Sequence, residues 1–212
     1  MPIGSLLART LWYALPKFHR SFGSIGRSKL WLVEENGPTG VKDMLSATRA
    51  SAILVLLTIV SAVQHAWYWP QLPDRVATHW GIDGQPNDWM TRTGATLMLC
   101  GLQIGVPLFL AAVTSLASRL PDSMINIPNR KYWLHPDRRS ATLAWMNQML
   151  AWIAVLTSLF MIGIGHLTFI ANKTGSGLHV GFFVTALGAY LASVFSIAGR
   201  SLFRFRLPRS TV

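Results

Sequence analysis

The chain has 212 residues, 51% of them hydrophobic and only 13% charged, with one cysteine and a net charge of +11. A soluble domain carries about 25% charged residues, and here residues 50–73, 93–118, 140–172 and 174–199 contain no Asp, Glu, Lys or Arg at all, which excludes an ordinary soluble fold. The lone Cys100 excludes an intrachain disulfide framework and a CxxC metal site, and cations that flank apolar runs argue against nucleic acid as the partner.

Residues 1–43 read as a basic, loosely ordered or interfacial extension. Ser5–Leu15 is apolar around Arg9 and is stopped by Pro16. It is too short to span a bilayer, and its basic and aromatic character suits the membrane interface. Two readings of the extension stand: an optional tail, or a start-site artefact with translation beginning at Met44. No secretory signal peptide is expected, because the first apolar stretch is poorly formed and no small-residue cleavage site follows.

The four charge-free runs are each long enough to cross a hydrocarbon core, which takes about 20 apolar residues. The spans are expected at residues 50–70, 93–118, 141–170 and 177–199, within a transmembrane domain of residues 44–199 and followed by a basic tail of residues 200–212. Trp67, Tyr68 and Trp69 mark one edge of the first span, and Pro70 and Pro73 end it. The second span holds Gly101 and Gly105, a GxxxG pair that permits close helix approach, and Pro107 predicts a kink. The third span is the longest and projects beyond the membrane as a helix. In the fourth, Gly188, Ala192 and Ser196 mark a packing face.

Of the 19 Lys and Arg, sixteen lie before the first span, between the second and third, or after the fourth, and only Arg75, Arg92 and Lys173 lie in the other two loops. The positive-inside rule puts both termini and the middle loop in the cytoplasm of a bacterial inner membrane. Anionic lipid headgroups are the expected partners of the basic flanks. The fold class is therefore an all-α integral membrane protein with four transmembrane helices, a small folded extracytoplasmic loop and a basic cytoplasmic loop.

The extracytoplasmic loop is Leu72–Arg92, rich in Pro, Gly, Asp and Trp. Asp83-Gly84 is a hairpin-turn signal, and Gly81 and Gly84 permit left-handed backbone. Thr78, His79 and Trp80 form a short strand before the turn, Pro86–Trp89 returns the chain, and Trp80 and Trp89 supply apolar contact to a small cap over the helix ends. Pro73, His79, Trp80, Asp83, Gly84, Pro86 and Trp89 are the candidate binding residues. His79, Asp83 and Asp88, with His65, are a conceivable divalent-metal set, but their spacing fits no standard pattern. The simpler reading has them satisfying backbone amides in a tight loop. No metal, cofactor or catalytic residue is assigned, since no nucleophile or second catalytic group accompanies Asp83 and His79.

In the cytoplasmic loop, Pro128, Asn129, Tyr132, Trp133, Arg138 and Arg139 are candidates for docking a soluble protein, against the plainer reading of membrane anchoring by basic and aromatic groups. Pro136 suits the first turn of the third helix. Gln64, His65, Gln103, Asn147, Gln148, His166 and His179 lie within or at the ends of spans, where the plain reading is interhelical hydrogen bonding; Gln103, Asn147 and His166 are the set a transport path would use. Asn172-Lys173-Thr174 matches the weak glycosylation acceptor pattern.

Leu72, Pro73, Thr78, His79, Trp80, Gly84 and Pro86, after an apolar helix, together resemble a bacterial integral membrane domain of unknown function found in SdpI-like proteins, which confer immunity to a sporulation-delaying toxin. The downstream run IPNRKYWLHPDRR is similar to a pattern found in such proteins. The resemblance covers roughly residues 51–140 and implies toxin protection and sequestration of a repressor at the membrane, although this chain shows four spans and the full immunity protein has more. The expected function is a non-enzymatic binding, immunity or signalling protein. Its outer loop takes an extracytoplasmic peptide or envelope protein, and its inner loop a cytoplasmic protein. A small transporter, channel or permease subunit is the alternative, with a metal-dependent membrane enzyme third. The oligomeric state is left open.

Overall fold

The computed structural model describes residues 40–117 and 119–207; the expectations for residues 1–39 lie outside them. Helix α1 (Gly40–Tyr68) is followed by a 3-10 turn (Trp69–Gln71) and a hairpin of β1 (Arg75–Trp80) and β2 (Pro86–Thr91). Helix α2 (Arg92–Cys100) passes through a π turn (Gly101–Gly105) into α3 (Val106–Ala117). After a loop with a 3-10 turn (Asp122–Met124) come α4 (Arg130–Trp133), the long α5 (Pro136–Thr174) and α6 (Val180–Arg204). Four helical segments are long and apolar enough to cross a membrane, so the chain is an all-α integral membrane protein carrying one small hairpin.

The spans follow local chemistry. No helix breaker stands between Gly40 and Tyr68, so α1 runs across the boundary expected at residues 43–44. Its end coincides with Pro70, the first residues of a 3-10 turn. Trp67 and Trp69 are exposed while Tyr68 turns inward onto Phe169 with rings 4.9 Å apart. Two of the three aromatic residues are thus free for the membrane interface.

Pro107 has no N–H to give the carbonyl of Gln103, and its ring would crowd a regular turn. The widened turn at Gly101–Gly105 directly precedes it and absorbs that conflict. Helix α5, with Pro136 at its start and Gly175 in left-handed conformation after its end, has 39 residues. At about 1.5 Å per residue it far exceeds a hydrocarbon core about 30 Å thick. It is the hub of the bundle, touching α1, α3 and α6.

Three expectations need correction. Gly101 and Gly105 are exposed and would leave open space around an added Cβ, so the GxxxG pair makes no helix contact within the described chain. Gly188, Ala192 and Ser196 likewise face outward. Helix α6 meets α5 through its larger residues: Tyr190 stacks on Phe160 at 4.7 Å and its hydroxyl reaches Thr157 Oγ1 at 3.1 Å. Finally, the fourth helix does not end at residue 199. It continues to Arg204, and Phe205 then folds back into a buried position.

The packing that binds α1, α2 and α5 centres on a buried amide. Gln103, carried by the π turn, is 2% exposed. Its Oε1 accepts from Ser61 at 3.0 Å, and its Nε2 donates to Gln64 Oε1 at 3.1 Å and to Met161 C=O at 2.8 Å. Gln64 in turn donates to Ile162 C=O at 3.2 Å. A Cβ on Gly165 would overlap the Gln103 side chain. Gly165→Ala is therefore expected to displace an amide held on all sides, lowering stability by roughly 1–3 kcal/mol, the usual range for overpacking. Thermal unfolding of the purified protein in detergent checks this, with Gly163→Ala, which meets open space, as the variant that should change little.

Candidate functional site

The hairpin is the most elaborated feature outside the helices. Its strands pair antiparallel, with Arg75 opposite Thr91, Val76 opposite Met90 and Ala77 opposite Trp89. The first begins earlier, at Arg75, and the second ends later, at Thr91, than the sequence suggested. The turn is closed by Gly81 N–H to Gln85 C=O at 2.8 Å and Gly84 N–H to Gly81 C=O at 3.0 Å. Asp83 Oδ1 accepts from Gln85 N–H at 3.0 Å, and Gly84 takes φ of +77°, a conformation that suits glycine.

Docking onto the bundle uses both faces of chemistry. Val76 and Leu72 are buried with Ala95 of α2 and Phe169 of α5. These residues form the apolar anchor that the sequence reading had given to Trp80 and Trp89. The amide of Asn172 on α5 grips β1: its Oδ1 accepts from Ala77 N–H at 2.6 Å and its Nδ2 donates to Ala77 C=O at 3.0 Å. This is the pairing a neighbouring strand would make, supplied by one side chain. Asn172 is thereby committed to the fold, which removes the glycosylation reading of Asn172-Lys173-Thr174.

At the turn, Leu178 N–H donates to Gly84 C=O at 2.8 Å. A Cβ on Gly84 would stand 2.5 Å from Leu178 O, and one on Gly177 would stand 2.7 Å from Gly84 O. Arg92 closes the base of the hairpin with Nη2 on Asp74 Oδ1 at 2.6 Å, and Lys173 Nζ reaches Gln71 Oε1 at 2.7 Å.

Trp80 and Trp89 belong to a different surface. Register shifts on either side of His79 break the strict alternation of β1. A one-residue shift moves a side chain to the opposite face, and Trp80 joins Arg75 and Ala77 on one side. There the two tryptophans, with Pro73, Arg75, Pro86 and Asn172, border a cleft of about 200 Å³. A second and more open groove of about 480 Å³ lies beside the turn, between Ile82, Asp83 and the start of α6 at His179–Phe182. Ile82 at the tip is 99% exposed. Of the seven binding candidates, Pro73, Trp80, Pro86 and Trp89 share the smaller cleft. His79 is exposed and paired with Asn87 Oδ1 at 2.5 Å, while Asp83 and Gly84 build the turn.

The weighed metal set stays dispersed. Asp83 and Asp88 each bind a nearby backbone N–H, His65 is buried against Phe169, and no cluster of three His, Cys, Asp or Glu occurs among the described residues. The transport set is also divided. Gln103 bonds beside Gly165, one residue before His166, whose Nδ1 meets Tyr68 OH at 3.1 Å. Asn147 lies fourteen residues before Met161 on α5, about 21 Å along a helix.

At the opposite end, the loop candidates divide between internal and surface roles. Asn129, in left-handed conformation, and Trp133 both donate to Phe205 C=O, at 2.8 and 3.0 Å. Arg139 binds Asp122 at 2.8 Å and Leu120 C=O at 3.1 Å. Arg138 lies over the Tyr132 ring at 4.0 Å, and Pro128 is exposed. The role of Phe205, which is also edge-on to Trp133 and Trp145 at 5.8 and 5.4 Å, had no signal in the sequence.

Residues 53–104 match the family model described as a domain of unknown function (DUF1648). The match runs from α1 through the hairpin into the π turn, and so takes in Gln103 and the hairpin side of the Trp80–Trp89 cleft, whose other wall is residues 171–177 of α5 and the turn after it. No curated protein and no solved structure matches the chain.

Loss of the Asn172 grip should free β1. Asn172→Ala is expected to speed amide exchange of residues 75–80 by roughly 10–100-fold, the equivalent of one to two net hydrogen bonds. Exchange within the middle of α5 should change far less. Hydrogen–deuterium exchange read by mass spectrometry makes the comparison.

Proposed function

We propose that this chain is a non-enzymatic inner-membrane binding protein, of the immunity or signalling kind, whose hairpin faces outward and captures an extracytoplasmic peptide or envelope protein. The observation that carries the reading is the cleft between Trp80 and Trp89 on a hairpin anchored to the bundle at Val76, Ala77 and Gly84. Aromatic walls with prolines beside them give large contact area at low entropic cost. Arg75 at the same cleft supplies a charged group that orients a bound chain. The clamp of Asn172 on Ala77 and the junction of Gly84 with Leu178 mean that little ordering entropy remains to be lost on binding.

The orientation rests on charge. Exposed Arg119, Arg130, Lys131, Arg200 and Arg206 gather at the end opposite the hairpin, as expected of a cytoplasmic face. That face meets anionic lipid, and the Tyr132–Arg138 stack beside Pro128 offers a cytoplasmic protein its contact surface. Immunity to a peptide toxin is the more specific form of this reading. It rests on the resemblance of the Leu72–Pro86 pattern to SdpI-like proteins alone, since the family model matched over residues 53–104 is that of a domain of unknown function.

A photo-reactive residue introduced at Gln85, exposed beside the cleft, should capture the partner in native membranes. In Trp80→Ala/Trp89→Ala the capture should fall by at least about tenfold, in line with the loss of two aromatic hot spots at ~2 kcal/mol or more. The amount of protein in the membrane should not change, because neither tryptophan belongs to the buried anchor. Capture that persists undiminished in the double variant would refute the cleft as the binding surface.

A further inference from the structure

The free edge of the hairpin is self-complementary. Both backbone groups of Ala77 are turned toward Asn172, so the Ala77–Trp89 pair exchanges no bonds across the hairpin. Antiparallel pairs alternate between bonded and non-bonded. Met90 therefore bonds to β1, while Trp89 and Thr91 direct their N–H and C=O groups away from it. The bond from Arg92 N–H back to Asp74 C=O at 2.9 Å fits the same alternation.

Two of those four outward groups are used. Trp89 N–H is held by Asp88 Oδ1 at 2.8 Å. The Thr91 carbonyl, at the N-cap of α2, begins the intrahelical ladder. What remains on the edge is one acceptor, Trp89 C=O, and one donor, Thr91 N–H, placed symmetrically about Met90.

We propose that a second copy of this chain pairs along this edge, β2 against β2, about a two-fold axis at Met90. In that register Thr91 N–H of each copy donates to Trp89 C=O of the other, so that two bonds form and each leftover group gains one partner. The next residues outward place Asp88 of one copy opposite Arg92 of the other, joining opposite charges on both sides of the axis. Asp88 has no ion-pair partner within the described residues, and Arg92 already holds Asp74 with Nη2, leaving its Nη1 to reach across. An interface that matches itself in donors, acceptors and charge is the isologous kind that closes as a dimer. It also removes the open edge, which is otherwise a template for disordered association.

The membrane permits this geometry. The Val76 face of the hairpin packs on Ala95 and Phe169 of the bundle, and the pairing requires the two-fold axis normal to the sheet to run along the membrane normal, with both copies in one orientation. Chain continuity then carries each α2 away from the axis region directly after Thr91, and its outward Gly101 and Gly105 leave room for a neighbouring helix. The glycines do not carry the pairing; they present no bulk against it. The Trp80–Trp89 cleft lies on a face of the hairpin, and the pairing uses only its edge, so the two surfaces are independent.

The test is cysteine crosslinking of the full chain in native membranes, with Cys100 replaced by Ser. Residues facing each other across a non-hydrogen-bonded antiparallel pair have Cα atoms about 4.5 Å apart, inside the disulfide range of about 4.4–6.8 Å. Met90→Cys should form a reducible dimer under mild oxidation, several-fold more than Ile82→Cys at the exposed turn. Asp88→Asn keeps an acceptor for Trp89 N–H but removes the charge, and it should weaken the Met90→Cys crosslink several-fold without changing the thermal midpoint of the protein. A Met90→Cys yield no greater than that of Ile82→Cys would overturn the proposal. So would a yield that falls in proportion as the protein is diluted with lipid, the mark of random collision, or capture of a different chain at Met90 in place of a second copy.

Discussion

A side-chain amide in hydrocarbon has no solvent to bond with, so its partners must come from the protein, and Gln103 finds them on two other helices at once. It collects Ser61 and Gln64 from α1 and the Met161 carbonyl from α5. An unmade bond at such depth costs on the order of 1–3 kcal/mol. The three helices are thus fixed in register as well as in proximity. Apolar packing alone leaves helices in lipid free to slide, because the tails are as apolar as the side chains. The π turn is what aims Gln103 inward, and Pro107 is what makes a regular turn unfavourable there. One proline therefore has consequences at α1, α2 and α5 together.

That register is transmitted to the hairpin. Tyr68 and His65, one and two turns along α1 from the level of Leu72, pack on Phe169, and Phe169 completes the pocket for Val76. Three residues further along α5, Asn172 holds the backbone of Ala77. The hairpin is thus an extension of the α1–α5 seam, although α5 enters the chain far later. Trp89, exposed, and Trp80, half-buried, stand on a hairpin that is tied to the bundle at Val76, Ala77 and Gly84.

Much of this was legible in the sequence because it is written locally. The absence of charge over long runs marks four helices, Pro70 and Pro136 mark helix limits, and Asp83-Gly84 marks the turn. What stayed hidden depends on separation or on direction. Asn172 and Ala77 are 95 positions apart, so the side chain that anchors the hairpin looked like part of a modification motif. Gln103 looked like one polar group among several because hydrophobic periodicity does not reveal a π turn. The small residues Gly101, Gly105, Gly188, Ala192 and Ser196 show that a helix can be approached closely, but not from which side. In this chain they are turned outward, and larger residues such as Tyr190 make the internal contact. Trp80 escaped strict alternation because the irregular register beside His79 is set by the pairing of two strands and by neither strand alone.

Helix α6 shows how the two ends of the molecule differ from its middle. The main helix partner of α6 is α5, Arg204 at its end also lies 5.6 Å over the Trp133 ring of α4, and no residue of α6 is buried. A single stack of Tyr190 on Phe160 and one hydroxyl contact to Thr157 are specific links within the membrane. Its ends are held far more firmly. Before it, Leu178 is bonded to Gly84 of the hairpin. After it, Phe205 accepts from Asn129 and Trp133 and is flanked by two tryptophan rings. The fourth helix is therefore positioned by the folded modules at its two ends, with its sides left to lipid. Its backbone thus runs from the Leu178–Gly84 bond at the hairpin to the Phe205 contacts with Asn129 and Trp133 at the basic loop.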